Sequence, residues 1–243
     1  MSTPRIYTAV IEAADPAFVP GAMHLDVGAG RGELIKEIRA RHDVRCHACD
    51  FHAERFAADV PCAKVDFNAG PLPYQDGSFD VVTSSEVVEH LEDYRALLRE
   101  IFRISKKGAT VVVTTPNILN LSSRVRYLLT GFANLFGPLP VRNDKRYSTT
   151  GHITPIPYFY LAHALLDAGF DDVRLSIDKP QRTSIALAVL LWPLIALWRF
   201  RFLARERGKY RTLTPENEPL VATHFSWPLL VGRTIVVSAR RLA

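Results

Sequence analysis

The chain has 243 residues, 48% of them hydrophobic, a net charge of +5 and a pI near 9.2, which fits one large domain and requires no second core. The moderately basic balance favours an anionic substrate or surface. Cys46, Cys49 and Cys62 give no disulfide framework, and Met1 to Thr8 hold no long apolar run, so neither a disulfide-stapled fold nor a secretory signal is expected and a cytoplasmic location follows.

Residues 1–22 read as a leading helix or cover, punctuated by Pro16 and Pro20. The run His24-Leu25-Asp26-Val27 then reads as a buried strand that breaks into Gly28, Gly30 and Gly32, and helical spacing takes over from Gly32 to His42. Glycines at the carboxyl end of a strand let the backbone turn sharply and a ligand approach. The dinucleotide fingerprint G-x-G-x-x-G fails at its last position, which holds Glu33 while the third glycine is Gly32. Val44 to Cys49 form the second expected strand, ending on Asp50, 20 residues beyond Gly30. That separation suits a carboxylate accepting the ribose hydroxyls of an adenosine. Phe51 beside it is placed either to pack on an adenine or to serve as a core aromatic. The C-x-x-C of Cys46 and Cys49 falls in a strand, where residues three apart face opposite sides, so the thiols do not converge.

Cys62 to Asp66 and Phe79 to Ser84 read as the third and fourth strands, Asp93 to Ile101 as a helix, and Ala109 to Thr115 as the fifth strand after Lys106-Lys107-Gly108. About 40 residues separate this strand from the helix Tyr158 to Ala168, and a loop that long reads as a lid. It holds an amphipathic helix, Leu121 to Leu135, with Arg124 and Arg126, then a basic loop from Val141 to Tyr147, then His152. Gly169 stops the next helix; Val173 to Ile177 and Thr234 to Ala239 complete the strands. Between them lies Ser184 to Trp198, uncharged, broken by Pro193 and followed by Arg199, Arg201, Arg205, Arg207, Lys209 and Arg211. The run is shorter than the ~20 apolar residues of a spanning helix. Trp192, Trp198 and the basic tail suit a helix at a membrane surface over 184–211; an inserted helix buried against the domain or a partner fits as well.

Four stations resemble class I S-adenosylmethionine (SAM) methyltransferases over about residues 20–117. They are Asp26-x-Gly28-x-Gly30-x-Gly32, the Pro73-x-x-Asp76-x-Ser78-Phe79-Asp80 loop, Glu89-His90-Leu91-Glu92, and Thr115-Pro116-Asn117. The resemblance implies a single α/β domain over 1–243 with a Rossmann-like, seven-stranded, mostly parallel sheet and helices on both faces. Its core would cover about 20–117, 157–178 and 232–241, with insertions at 118–156 and 179–231. It also implies a SAM pocket made by Asp26, Gly28, Gly30, Gly32, Asp50, Phe51, Asp66, Phe67, Ser85 and Glu86. Asp26 would meet the ammonium group of SAM, whereas a pyrophosphate would be repelled there.

Glu86, Glu89 and His90 stand at i, i+3 and i+4, so on a helix they would share one face as three cation ligands. The pattern resembles ubiquinone-pathway O-methyltransferases and small-RNA 2′-O-methyltransferases. This implies Mg2+, or Mn2+ or Zn2+, held by Glu86, Glu89, His90 and His152, or else His90 or His152 as a direct catalytic base. The expected activity is SAM-dependent methylation of a hydroxyl on a small-molecule, glycan or lipid-linked acceptor. An RNA ribose acceptor is an alternative by motif, but no RNA-binding module or basic-aromatic stripe supports it. An NAD(P)-binding Rossmann oxidoreductase is opposed by Asp26 and Glu33.

Overall fold

The computed structural model describes residues 3–139 and 151–242. Its strands are β1 (Met23–Val27), β2 (Arg45–Asp50), β3 (Cys62–Lys64), β4 (Phe79–Ser85), β5 (Ser105–Pro116), β6 (Asp171–Ile177) and β7 (Thr234–Arg240). They form one seven-stranded sheet in the order β3-β2-β1-β4-β5-β7-β6, in which only β7 runs antiparallel to its neighbours. The strand order reverses between β1 and β4, and in open parallel sheets the crevice at that switch point is where ligands bind.

Helices cover both faces. They are α1 (Pro4–Ala14), α2 (Glu33–Arg39), α3 (Tyr94–Ile104), α4 (Leu121–Thr130), α5 (Tyr158–Ala168), α6 (Arg182–Arg205), α7 (Glu218–Thr223) and α8 (Trp227–Val231). On one face Ile6 and Val10 of α1 and Ile35 and Ile38 of α2 pack with Cys46, Val81, Val112 and Val236. On the other, Leu97 and Ile101 of α3 and Leu161 and Leu165 of α5 pack with Cys49, Val82, Val113 and Val237. Cys46 and Cys49 thus lie in different cores, as the period-two reading of β2 expects.

Local chemistry sets several boundaries. Asp93 caps α3 by accepting the Ala96 N–H at 2.9 Å, and Asn120 caps α4 by accepting the Ser123 N–H at 2.9 Å. α4 ends at Thr130 and does not continue to Leu135, because Gly131 takes the left-handed conformation (φ 73°) and donates its N–H to the Tyr127 carbonyl at 2.8 Å. The basic loop 141–147 lies outside the described residues. β5 starts four residues before the expected Ala109. The largest departure is α6, one unbroken 24-residue helix that runs through Pro193. Asn117 ties the insertions to the sheet: its buried amide donates to the carbonyls of Leu229 (2.8 Å) and Gly232 (2.9 Å), and its side-chain oxygen accepts the Leu119 N–H at 2.9 Å.

Candidate active site

The three glycines do different jobs. All have positive φ: 78° at Gly28, 57° at Gly30 and 84° at Gly32. A Cβ on Gly28 would lie 2.2 Å from the Val87 Cγ2, and one on Gly32 would lie 2.7 Å from Ala58 and 2.9 Å from Phe56. Those two positions are demanded by the fold. Around Gly30 a Cβ would meet nothing within 4 Å, so the loop leaves open space there. The loop is pinned to the end of β2, with the N–H groups of Gly28 and Ala29 donating to the Cys49 carbonyl at 2.8 and 3.2 Å.

Asp50 completes the pinning. One carboxylate oxygen accepts the Gly30 N–H at 2.8 Å and the other accepts the His52 N–H at 2.6 Å, which aims the side chain across the mouth of the loop. A cleft of about 160 Å³ opens here, lined by Gly28, Asp50, Phe51, Asp66, Phe67, Glu86 and His90, together with His52, Asn68, Val87 and Leu91. Seven residues singled out by the sequence therefore share one cleft. His52, Asn68 and Val87 were not anticipated, since nothing in their spacing marks them.

Asp26, Gly30, Gly32 and Ser85 do not line that cleft; Asp26 and Ser85 are buried beside it. The Asp26 carboxylate accepts the Thr83 hydroxyl at 2.8 Å, and Thr83 in turn accepts from His24 Nε2 at 2.9 Å. Burial pushes Asp26 up to about 7, against the pull of the Thr83 hydrogen bond, and burial holds His24 down to about 3. An acid expected at the ligand stands instead in a buried polar chain under the glycine loop.

The segment after β4 is not an α-helix. Glu86 takes a left-handed conformation (φ 57°), its N–H donating to the Thr114 carbonyl and hydroxyl at 3.2 and 3.0 Å, and a single tight turn, Val88–His90, follows. The i, i+3, i+4 face is therefore lost. Ligand atoms of Glu89, His90 and His152 lie within 4.8 Å of one another, and Glu86 stands outside that set. Glu89 is fully buried and among the described residues neither carboxylate oxygen has a hydrogen-bond partner, Thr115 being the neighbouring hydroxyl, while its backbone carbonyl accepts the N–H groups of Ile153 and Thr154 at 2.9 and 3.0 Å. Burial, then the neighbouring Glu86, drives the Glu89 carboxyl well above the ordinary range, and burial raises Glu86 to about 7. The His90 Nδ1 meets the Gly151 carbonyl at 2.8 Å, which fixes the proton on that nitrogen and leaves Nε2 bare. Burial lowers both imidazoles, keeping them neutral as a base or a metal ligand must be.

The model of a family described as "Methyltransferase domain" matches residues 3–175, more than two thirds of the chain. The chain belongs to the methyltransferase-domain family. Ajmaline N-methyltransferase from Rauvolfia serpentina is 28% identical over 172 residues, covering 58% of this chain and 59% of that protein. Demethylmenaquinone methyltransferase from Corynebacterium glutamicum is 38% identical over 96 residues, covering 39% and 41%. The chain spans about 40 to 60% of the length of the curated relatives it matches. A crystal structure of a SAM-dependent methyltransferase from Archaeoglobus fulgidus superposes with a TM-score of 0.60 at 16% identity, over 98% of this chain and 95% of that one. This likeness shows the fold, the Rossmann-like methyltransferase sheet.

Within this methyltransferase-domain fold, the first insertion brings His152 to His90, their ring centroids 4.8 Å apart and perpendicular, and packs Phe136 against His152 at 5.3 Å. The sequence reads Arg124 as a charge on an amphipathic surface helix. It lies partly buried instead, its guanidinium donating to the carbonyls of Leu119 (2.6 Å) and His224 (3.4 Å). A contact across 100 residues leaves no signal in local spacing.

Proposed function

We propose that this chain transfers the methyl group of SAM to a hydroxyl of a small-molecule, glycan or lipid-linked acceptor, with a divalent cation at Glu89, His90 and His152. The observation that carries the cation is Glu89. A buried carboxylate with no hydrogen-bond partner among the described residues is costly unless it is protonated or paired with positive charge, and two neutral imidazole nitrogens lie within ligand range of it. Two imidazoles and one carboxylate suit Mn2+ or Zn2+ better than Mg2+, which prefers oxygen ligands and water. A cation bound there would act as a Lewis acid that lowers the pKa of a coordinated hydroxyl.

The protein's own part is to orient the reactants. Asp50, Asp66 and Phe51 surround the space for an adenosine, with Glu86 and His90 on the same cleft. SAM supplies an electrophilic methyl on a sulfonium, so the acceptor oxygen forms a bond to carbon as the carbon–sulfur bond breaks and its electron pair stays on sulfur. With both imidazoles holding the cation, the hydroxyl proton passes to solvent. A neutral amine needs no such activation before attack, so a cation site beside the cleft supports an oxygen acceptor. The N-methyltransferase relative makes nitrogen the competing reading.

A screen of paired hydroxyl and amine acceptors with labelled SAM tests this. Methylation of hydroxyls, lost in chelator and restored by Mn2+ or Zn2+, is expected. Label only in amines overturns the oxygen assignment, and full activity in chelator overturns the cation.

A further inference from the structure

The second insertion builds a surface that methyl transfer itself does not use. α6 exposes Val189, Leu190, Trp192, Leu194, Trp198 and Phe202, and at about 100° per residue these side chains point all round the helix axis. A helix apolar on every side is stable only inside a core or in hydrocarbon, yet Ser184 and Ala188 are its only buried residues. The uncharged run from Thr183 to Trp198 covers about 24 Å of helix, short of the ~30 Å hydrocarbon thickness of a bilayer.

Both ends of α6 are tied to the same domain. The Gln181 N–H donates to the Val231 carbonyl at 2.7 Å, the Arg199 guanidinium lies 5.8 Å from the Phe225 ring centroid, and Arg207 pairs with Glu218 at 2.5 Å. By length and composition the helix from Arg182 to Tyr210 is long and apolar enough to cross a bilayer, but ties at both ends to the same domain hold it to one side, where it can dip into one leaflet. The basic residues from Arg199 to Arg211, opposed in that run only by Glu206, complement anionic headgroups at its carboxyl end. α4, which packs against α6, adds Tyr127, Leu128 and Leu129 to the exposed apolar surface.

Behind α6 runs an apolar groove of about 790 Å³, with Phe159, Trp198, Phe202 and Phe225 on its walls and Leu119 and Arg124 at one end. Leu119 and Arg124 also line a second cavity, about 500 Å³, together with Phe136 and His152. The two cavities share Leu119 and Arg124 as lining, one extending along α6 and the other reaching His152. Arg124 has carbonyl partners but no carboxylate among the described residues, so a positive charge stands on the lining that the two apolar cavities share.

We propose that α6 seats the protein in one leaflet of an anionic membrane, and that the two cavities join at Arg124 into one path that admits a membrane amphiphile. Its hydrocarbon tail lies along Trp198 and Phe202, its anionic group rests on Arg124 and its acceptor hydroxyl reaches His152. The last clause rests on the methyl-transfer reading; the seating and the tail site do not.

The test mixes the full chain with vesicles of phosphatidylcholine alone and of phosphatidylcholine with phosphatidylglycerol, read by sedimentation and by quenching of tryptophan with brominated lipid. Tighter binding to the anionic vesicles is expected, weakened on the order of tenfold or more in a Leu190→Glu/Leu197→Glu variant whose SAM affinity is unchanged. Equal sedimentation of variant and wild type overturns the seating, as does a wild-type dimer that the variant breaks without any vesicle binding. For the path, farnesyl phosphate should bind at least roughly tenfold tighter than farnesol or inorganic phosphate, and Arg124→Gln should erase that advantage. Equal affinity for phosphate alone overturns the tail site. SAM calorimetry separates the two readings: vesicle and farnesyl phosphate binding without SAM binding refutes methyl transfer alone, and SAM binding with neither refutes the membrane proposal alone.

Discussion

Thr83 donates its hydroxyl proton to the Asp26 carboxylate at 2.8 Å, so the acid of the glycine motif is anchored to β4 beneath the loop. His24 Nε2 contacts the same hydroxyl at 2.9 Å, which makes Thr83 the hinge of a buried chain of three side chains.

That chain has a pH signature. Folded Asp26 keeps its proton up to about pH 7, whereas an unfolded aspartate releases it near pH 4, so in that window the folded state binds the extra proton and stability falls as pH rises. His24 acts oppositely: its folded value of about 3 lies below the unfolded value near 6.5, so its contribution is lost as pH falls through that range. Between about pH 4 and 6.5 the two slopes cancel. In His24→Gln only the Asp26 slope remains, and the unfolding free energy relative to wild type should fall by up to roughly 1.4 kcal/mol per pH unit across that window. Urea denaturation of both proteins at the two ends of the window checks this; parallel stability curves would refute it.

The glycines should separate folding from binding. Gly28→Ala forces a Cβ to within 2.2 Å of the Val87 Cγ2 at φ 78°, and should cost roughly 2 kcal/mol or more, part of it recovered by adding Val87→Ala. Gly30→Ala meets no protein atom and should cost only the ~1 kcal/mol of a left-handed alanine. If a ligand occupies the open space, SAM affinity drops in Gly30→Ala while the melting temperature barely moves. Calorimetry and thermal melts on the same samples give both readouts.

Asp50 holds two backbone N–H groups and also faces the cleft. Asp50→Ala should therefore weaken SAM binding by roughly 10- to 100-fold and lower stability by about 1–2 kcal/mol. Asp50→Asn keeps one acceptor and should fall between. Unchanged SAM affinity in Asp50→Ala would remove the residue from the donor site.

Glu89 gives a prediction of opposite signs. Without metal, Glu89→Gln relieves a buried carboxyl with no hydrogen-bond partner among the described residues and should leave stability unchanged or raise it, by about 1 kcal/mol. With Mn2+ or Zn2+ in excess, wild type should gain several degrees in melting temperature and the variant should not. A metal shift of equal size in both would place the ion elsewhere.

Much of this protein is legible in its sequence because the information is local. Apolar runs marked β1, β2 and β4, the failure of the dinucleotide spacing at Glu33 set the glycine loop apart, and Asp50 at the end of β2 fell on the cleft. These features depend on residues a few positions apart, whose backbone conformation follows from their own chemistry.

Tertiary structure decided the rest. The spacing of Glu86, Glu89 and His90 suggested one helical face, but the left-handed Glu86 and the tight turn after it broke that face, and His152 entered from 62 residues away. Arg124 and α6 followed the same logic. An arginine read as solvated became lining shared by two cavities, and an apolar run read as broken at Pro193 became one exposed helix. Spacing fixes which side chains share a strand or a turn. Which of them meet across the molecule, and which apolar surface is left uncovered, depends on how the elements pack, and packing energy is summed over contacts that no local pattern encodes.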